Sequence, residues 1–252
     1  MPFLISGSIP SFLDSLFESI SGFTTTGASI LSNVEVMGKG MLFWRSFTHW
    51  IGGMGVLLLT LAILPLFGSG AVHILRAESP GPSPGKLVPK IGQTAKLLYG
   101  IYLGFTALQV LALGLAGMSL YDALIHTFGT AGTGGFSNYN QSVGAFNNPA
   151  IDIIIGVFML LFGISFSLHY QLLRGNWKAI LKDEEFKFYG AVTIISVALI
   201  SFNIWEHSLY RIGEGTRHAF FQVASIITTT GYSTTDFDQW PVLSKAILVT
   251  LM

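Results

Sequence analysis

Apolar residues run through this chain in long stretches broken by short polar ones, and the alternation recurs. Stretches free of Asp, Glu, Lys and Arg occur at Phe47–Phe67, Leu97–Met118, Ile153–Leu173 and Phe188–Trp205. Each is close to the ~20 residues a helix needs to cross a bilayer. A fifth begins near Val242, and residues Met1–Ile9 read like the tail of another span, so the expectation is of a fragment. Between the spans lie three amphipathic segments too short to cross: Ser11–Ser21, Leu120–Gly129 and Thr216–Ser225. At about 10 residues each would extend roughly 15 Å as a helix. Such a segment takes the chain halfway into a bilayer, and the return must be irregular backbone. That is tolerated only where it is buried in protein or lines a wet cavity.

A similar phrase follows each short segment. The first copy is Gly22-Phe23-Thr24-Thr25-Thr26-Gly27-Ala28-Ser29. The second is Thr130-Ala131-Gly132-Thr133-Gly134-Gly135-Phe136-Ser137, and the third is Ile226-Ile227-Thr228-Thr229-Thr230-Gly231-Tyr232-Ser233. Aligned on the closing serine, Gly27, Gly135 and Gly231 coincide. One Thr/Gly phrase is an ordinary turn, but three in the same setting make a repeat. The pattern predicts an all-α polytopic membrane protein built from units of span, half-helix, loop and span. The boundaries expected are residues 1–75 for unit one, 97–175 for unit two and 188–252 for unit three, with connectors at 76–96 and 176–187.

Composition agrees. Of the 252 residues 51% are hydrophobic and 10% charged, against about 25% charged in a soluble domain. Net charge is zero, which gives no reason to expect a nucleic-acid partner. There is no Cys to act as nucleophile or thiolate ligand, and no HExxH, GxSxG or paired intramembrane aspartates, so an enzyme is not expected. Basic residues cluster at Arg76, Lys86, Lys90 and Lys96, and at Arg174, Lys178, Lys182 and Lys187. The positive-inside rule puts those segments in the cytosol and all three Thr/Gly loops outside. The outer segments carry Asp14, Glu18, Glu35, Asp122, Asp152, Glu206, Glu214, Asp236 and Asp238, which would concentrate cations at the mouth. Ser79-Pro80-Gly81-Pro82-Ser83-Pro84-Gly85 reads as a stiff connector, because proline fixes φ and removes a donor.

The loops suit a monovalent cation. A dehydrated ion needs several oxygen ligands without a trapping charge, and stacked backbone carbonyls supply them. Glycine permits the positive φ that turns successive carbonyls toward one axis. Threonine adds a stiff β-branched side chain. The half-helices would point their partly negative C-terminal ends at the pore.

These phrases resemble the filters of the Trk/Ktr potassium-uptake superfamily. Ser21–Ala28 and Thr228–Ser233 look like filters one and three, and Thr133–Ser137 like filter two. The TrkH-type branch in particular is resembled by His49-Trp50-Ile51-Gly52-Gly53-Met54-Gly55, Glu78-Ser79-Pro80-Gly81-Pro82 and Ser165-Phe166-Ser167-Leu168-His169-Tyr170. The resemblance implies four units around one pore, of which three are visible. It implies K⁺ as the transported ion, held in the filter by Thr25, Thr26, Gly27, Ala28, Thr133, Gly134, Gly135, Phe136, Thr229, Thr230, Gly231 and Tyr232, with no cofactor in the chain. It further implies a bacterial or archaeal plasma membrane, a homodimer, and a cytosolic nucleotide-binding subunit of TrkA type. Glycine at the Gly27 position accompanies potassium preference in the superfamily, and serine sodium preference. A symporter coupled to H⁺ or Na⁺ is the alternative, with Glu18, His126 and His169 as its candidate groups.

Other polar residues admit two readings. Glu18, His126 and Gln222 fall at one equivalent half-helix position, and Asp14, Asp122 and His218 at another. Each set either braces the loops or attracts ions, or is the solvated start of a helix, where acids are favoured. Arg45 is either an arginine snorkelling to the interface or the partner of an outer acid. His49 and His169 are packing residues or pH-responsive ones. Gly52, Gly53 and Gly55 permit close helix approach or form a hinge. Phe136 and Tyr232 read as wedges that fix loop shape.

Overall fold

The computed structural model describes residues 2–63 and 91–252. Before residue 64 lie three helices: the short α1 (Pro2–Ile5), α2 (Phe12–Phe23) and α3 (Lys39–Ile63). After residue 90 come α4 (Ile91–Leu115), α5 (Leu120–Ala131), α6 (Pro149–Gly163), α7 (Phe166–Leu173), α8 (Trp177–Lys182), α9 (Glu184–Glu206), α10 (Ile212–Ile227) and α11 (Val242–Leu251). No strand occurs among the described residues. The connector Ser79–Gly85, the end of the first apolar stretch, and the basic residues Arg76, Lys86 and Lys90 lie outside the described residues.

The three short segments are α2, α5 and α10, each followed by its Thr/Gly loop and then an apolar helix: α3, α6 and α11. Capping explains where two of them begin. Ser11 and Ser119 accept hydrogen bonds from the backbone N–H of Asp14 and Asp122 three residues on. Each such bond satisfies a donor that a helix start leaves orphaned. Asp14, Asp122 and Glu214 sit in first turns, where the helix dipole favours an acid. The third short helix is longer than its motif suggests, because it starts at Ile212 rather than Thr216.

Two further boundaries differ from the hydropathy pattern. The stretch Ile153–Leu173 is not one span. It is helical to Gly163, extended at Ile164 (φ −82°, ψ 143°), and helical again in α7 at an angle of 97°. All the residues around the break are apolar or small, so hydropathy cannot see it. The freed Leu161 carbonyl accepts from the Ile164 N–H at 3.3 Å and from His169 Nε2 at 2.9 Å. His169 is therefore a hydrogen-bonded packing residue, with its ring edge-on to Phe105 at 4.8 Å. The charged segment before Phe188 forms α8 and the first turn of α9, capped by Asp183, which accepts from the Phe186 N–H at 2.8 Å.

Two helices of the described residues are long and apolar enough to cross a membrane, spanning Leu97–Leu115 and Glu184–Glu206; the bent α6–α7 pair is a third if counted together. On α9, Phe188, Ile194, Ile195, Leu199, Phe202 and Trp205 face outward, as a helix in lipid requires. The largest apolar core joins α4, α5, α6 and α10 through Leu113, Ile151, Ile155, Met159, Phe221 and Tyr232. A second joins α9, α10 and α11 through Ile200, Ile204, Val223 and Leu248.

Helix α3 packs directly on loop backbone. A Cβ at Gly52 would collide with the Phe23 carbonyl, and one at Gly53 would lie 2.9 Å from Gly132 Cα. Gly55 has nothing within 4 Å. Close approach is thus the role of the first two glycines. Gly52→Ala is expected to destabilise the folded protein by about 1–3 kcal/mol, the usual cost of overpacking, while Gly55→Ala leaves it unchanged. The thermal midpoint of the detergent-solubilised full-length protein checks both, and equal midpoints would refute the packing role.

Candidate filter loops

The three loops have one conformation. Thr25, Thr133 and Thr229 have φ of 56°, 52° and 56°, and Gly27, Gly135 and Gly231 have φ of 77°, 72° and 83°. Left-handed backbone is easy for glycine, but for a β-branched residue it is an outlier. Strain of this kind costs on the order of 1–3 kcal/mol per residue and persists only where surroundings impose it. Here the backbone imposes it three times. The N–H groups of Thr25, Thr133 and Thr229 donate to Gly22, Thr130 and Ile226 at 3.2, 3.1 and 2.9 Å. Those of Thr26, Gly134 and Thr230 donate to Ser21, Gly129 and Ser225 at 3.0, 3.0 and 2.9 Å. The last turn of each short helix thereby sets the course of its loop. Sequence reasoning identified the glycines but missed the threonines, because a β-branched residue signals extended backbone.

The loops converge. Gly27, Gly135 and Gly231, one from each, line a single cleft together with Arg45, Ser137, Tyr139 and Asn140. Adjacent loops touch through backbone: a Cβ on Gly27 would collide with the Gly134 carbonyl oxygen, and one on Gly135 with the Thr230 carbonyl oxygen. The candidate residues of the three copies, Thr25 to Ala28, Thr133 to Phe136 and Thr229 to Tyr232, are thus brought side by side in register.

Braces behind the loops come from the equivalent helix positions. Glu18 is fully buried and accepts from Ser29 Oγ at 3.0 Å, from the Ile30 N–H at 3.2 Å and from Arg45 Nε at 2.6 Å. Arg45 also donates to the Ser137 carbonyl at 3.3 Å, and its guanidinium lies 3.4 Å from the Phe136 ring centroid. One arginine of α3 therefore ties the first short helix to the second loop. Of the two readings for Arg45, the ion pair is the one found. His126 donates from Nδ1 to the Asp122 carbonyl at 2.8 Å, and its Nε2 lies 3.0 Å from Ser137 Oγ. Asn138 donates to Asp122 at 2.8 Å, and His218 and Thr234 pair at 2.8 Å with the same sixteen-residue offset. Bracing is therefore the role of Glu18, His126, Asp122 and His218. For Asp14, the start of a helix is the role found.

The second loop differs in having Gly132 and Gly134 where the others have threonines. The reason is His49 on α3. Its ring stacks on Phe136 with centroids 3.9 Å apart, and a Cβ on Gly134 would collide with that ring. A Cβ on Gly132 would collide with the His49 carbonyl. Phe136 is thus held between Arg45 and His49, the wedge its position suggested.

Over residues 1–252 the chain matches the TrkH family model, described as a cation transport protein. It is 40% identical over 253 residues to the Trk system potassium uptake protein TrkH of Salmonella typhimurium, covering 99% of this chain and 52% of that protein. It is 35% identical to the Trk system potassium uptake protein TrkG of Escherichia coli K12, covering 92% and 48%. The crystal structure of the potassium transporter TrkH from Vibrio parahaemolyticus aligns with a TM-score of 0.82 at 35% identity, covering 96% of this chain and 49% of that one. The chain spans about half the length of the curated relatives it matches.

Removing one member of the buried ion pair should be severe. Glu18→Ala strands Arg45 and is expected to cost about 3–5 kcal/mol, whereas Glu18→Gln with Arg45→Met should recover most of the loss. Thermal midpoints of the full-length protein test this. A Glu18→Ala midpoint equal to wild type would show that the pair does not hold the loops.

Proposed function

Because the chain belongs to the TrkH cation transport family, we propose that it forms the greater part of a gated, cation-selective pore for potassium uptake, with a filter of backbone carbonyls. The supporting observation is the convergence on one cleft of three loops that turn left-handed at the same two positions. The carbonyls of Thr25, Thr26, Gly27 and Ala28, of Thr133, Gly134, Gly135 and Phe136, and of Thr229, Thr230, Gly231 and Tyr232 replace the hydration shell of K⁺. Neutral oxygens bind the ion firmly enough to admit it and weakly enough to release it. The C-terminal ends of α2, α5 and α10 face the same loops and contribute partial negative charge.

In this reading a unit of four loops encloses the ion, and residues 1–75, 97–175 and 188–252 supply three of them. The loops open outward, and the basic segments face the cytosol of a bacterial cell. The chain works as a homodimer, and a nucleotide-binding subunit docks on its inner loops. Transport is uncoupled. Of the three candidate groups for proton coupling, Glu18 is committed to Arg45, His126 to Asp122 and Ser137, and His169 to the Leu161 carbonyl, which supports the uncoupled reading over H⁺ symport.

Reversal potentials of the full-length protein in liposomes test this. In wild type the potential should follow the K⁺ gradient at any pH and any Na⁺ gradient; dependence on either would indicate coupling. Gly27→Ser puts a side chain against the Gly134 carbonyl at a position of positive φ. It should lower the K⁺ over Na⁺ permeability ratio by roughly ten-fold, the factor that about 1.4 kcal/mol represents. An unchanged ratio would overturn the filter assignment.

A further inference from the structure

The three repeats share one more position, seven residues before the residue that follows each filter glycine. It holds Ser21 in the first, Gly129 in the second and Ser225 in the third. Ser21 Oγ donates to the Ala28 carbonyl at 2.5 Å, and Ser225 Oγ to the Tyr232 carbonyl at 2.6 Å. Each hydroxyl anchors the outer end of its own loop from behind. Gly129 has no side chain with which to do this. The equivalent carbonyl, that of Phe136, nevertheless receives a hydroxyl, and it comes from the neighbouring loop. Tyr232 Oη lies 3.0 Å from the Phe136 oxygen and 3.2 Å from the His126 oxygen, so one phenolic proton serves two carbonyls.

The exchange is reciprocal in space. A Cβ on Gly129 would collide with Tyr232 Oη. The absent serine and the reaching tyrosine claim the same volume, so each excludes the other. Tyr232 is fully buried, as is His126 beside it, with ring centroids 5.6 Å apart. In such surroundings a hydrogen bond is stronger and an unpaired polar group costs more than in water.

We propose that the Tyr232 hydroxyl is the positioning group of the second loop, supplied by the third loop in place of the serine that the other two short helices carry. The inference rests on the filter reading above and deepens it. It makes the geometry of the second loop depend on the third, while the first and third loops are each anchored by their own helix. A shift of the third loop therefore carries the Phe136 carbonyl with it, and leaves Ala28 held by Ser21.

The test is a double-mutant cycle on the full-length protein in liposomes, reading the K⁺ over Na⁺ permeability ratio from reversal potentials. Tyr232→Phe keeps the ring and removes only the hydroxyl, and the ratio should fall on the order of ten-fold, the scale of one unsatisfied buried hydrogen bond. Gly129→Ser alone should also lower it, because serine and phenol then compete. Combining Gly129→Ser with Tyr232→Phe should bring the ratio back to within about three-fold of wild type, a coupling on the scale of contacting residues. A role in space-filling alone predicts wild-type behaviour for Tyr232→Phe. That result, or a double variant no better than the worse single one, would overturn the proposal. If Tyr232→Phe cannot be recovered folded, recovery of the double variant supports the exchange and failure of both overturns it. Gly27→Ser measured alongside separates the two readings. If it keeps wild-type selectivity the filter itself fails, whereas if it alone loses selectivity only the tyrosine assignment does.

Discussion

Everything in this fold follows from bringing irregular backbone from separate parts of the chain into direct contact. Gly27 meets the Gly134 carbonyl, and Gly135 meets the Thr230 carbonyl, each too closely for a side chain to intervene. Peptide groups that approach this closely away from water must be oriented by the protein, since an unpaired one is costly. The short helices provide that orientation. Each ends in a turn whose carbonyls capture the first N–H groups of the loop, and this forces one threonine and one glycine into left-handed backbone.

The loops are then held from outside by α3. Its glycines let it lie against Phe23 and Gly132, its histidine occupies the space that threonine side chains take in the other loops, and its arginine reaches Glu18 and Ser137. Burying Arg45 and Glu18 carries a desolvation penalty of several kcal/mol per ion. Three further hydrogen-bond partners and a ring contact offset it: the Ser29 hydroxyl and the Ile30 N–H on the acid, and the Ser137 carbonyl and Phe136 ring on the base. The benefit is placement, because one charged side chain bonded at both Glu18 and the Ser137 carbonyl fixes a helix relative to a loop 92 residues from the arginine in sequence.

Much of this was legible in the chain itself, for identifiable reasons. The repeat, the short segments and the long apolar stretches are statements about period and length, which sequence records directly. Gly27, Gly135 and Gly231 are where left-handed backbone is easiest, and they have it. What escaped was decided by contact. The break at Ile164 is invisible to hydropathy because apolar residues flank it and the replacement bond comes from His169, five residues on. The left-handed threonines run against local preference and exist because the helix ends impose them. An ion pair of Arg45 with some outer acid was one of two readings, and only proximity decides for it and picks out Glu18. The substitution of glycine for serine at position 129 was in plain view, but its meaning lay on Tyr232 of another repeat.

The central claim is that carbonyls of these loops coordinate the transported ion. Crystals of the full-length protein grown in rubidium or thallium salts would address it through anomalous scattering. Peaks in the cleft shared by Gly27, Gly135 and Gly231, within coordinating distance of carbonyls from residues 25–28, 133–136 and 229–232, are the expected result. A fully occupied ion elsewhere along the path, with none beside these loops, would contradict it.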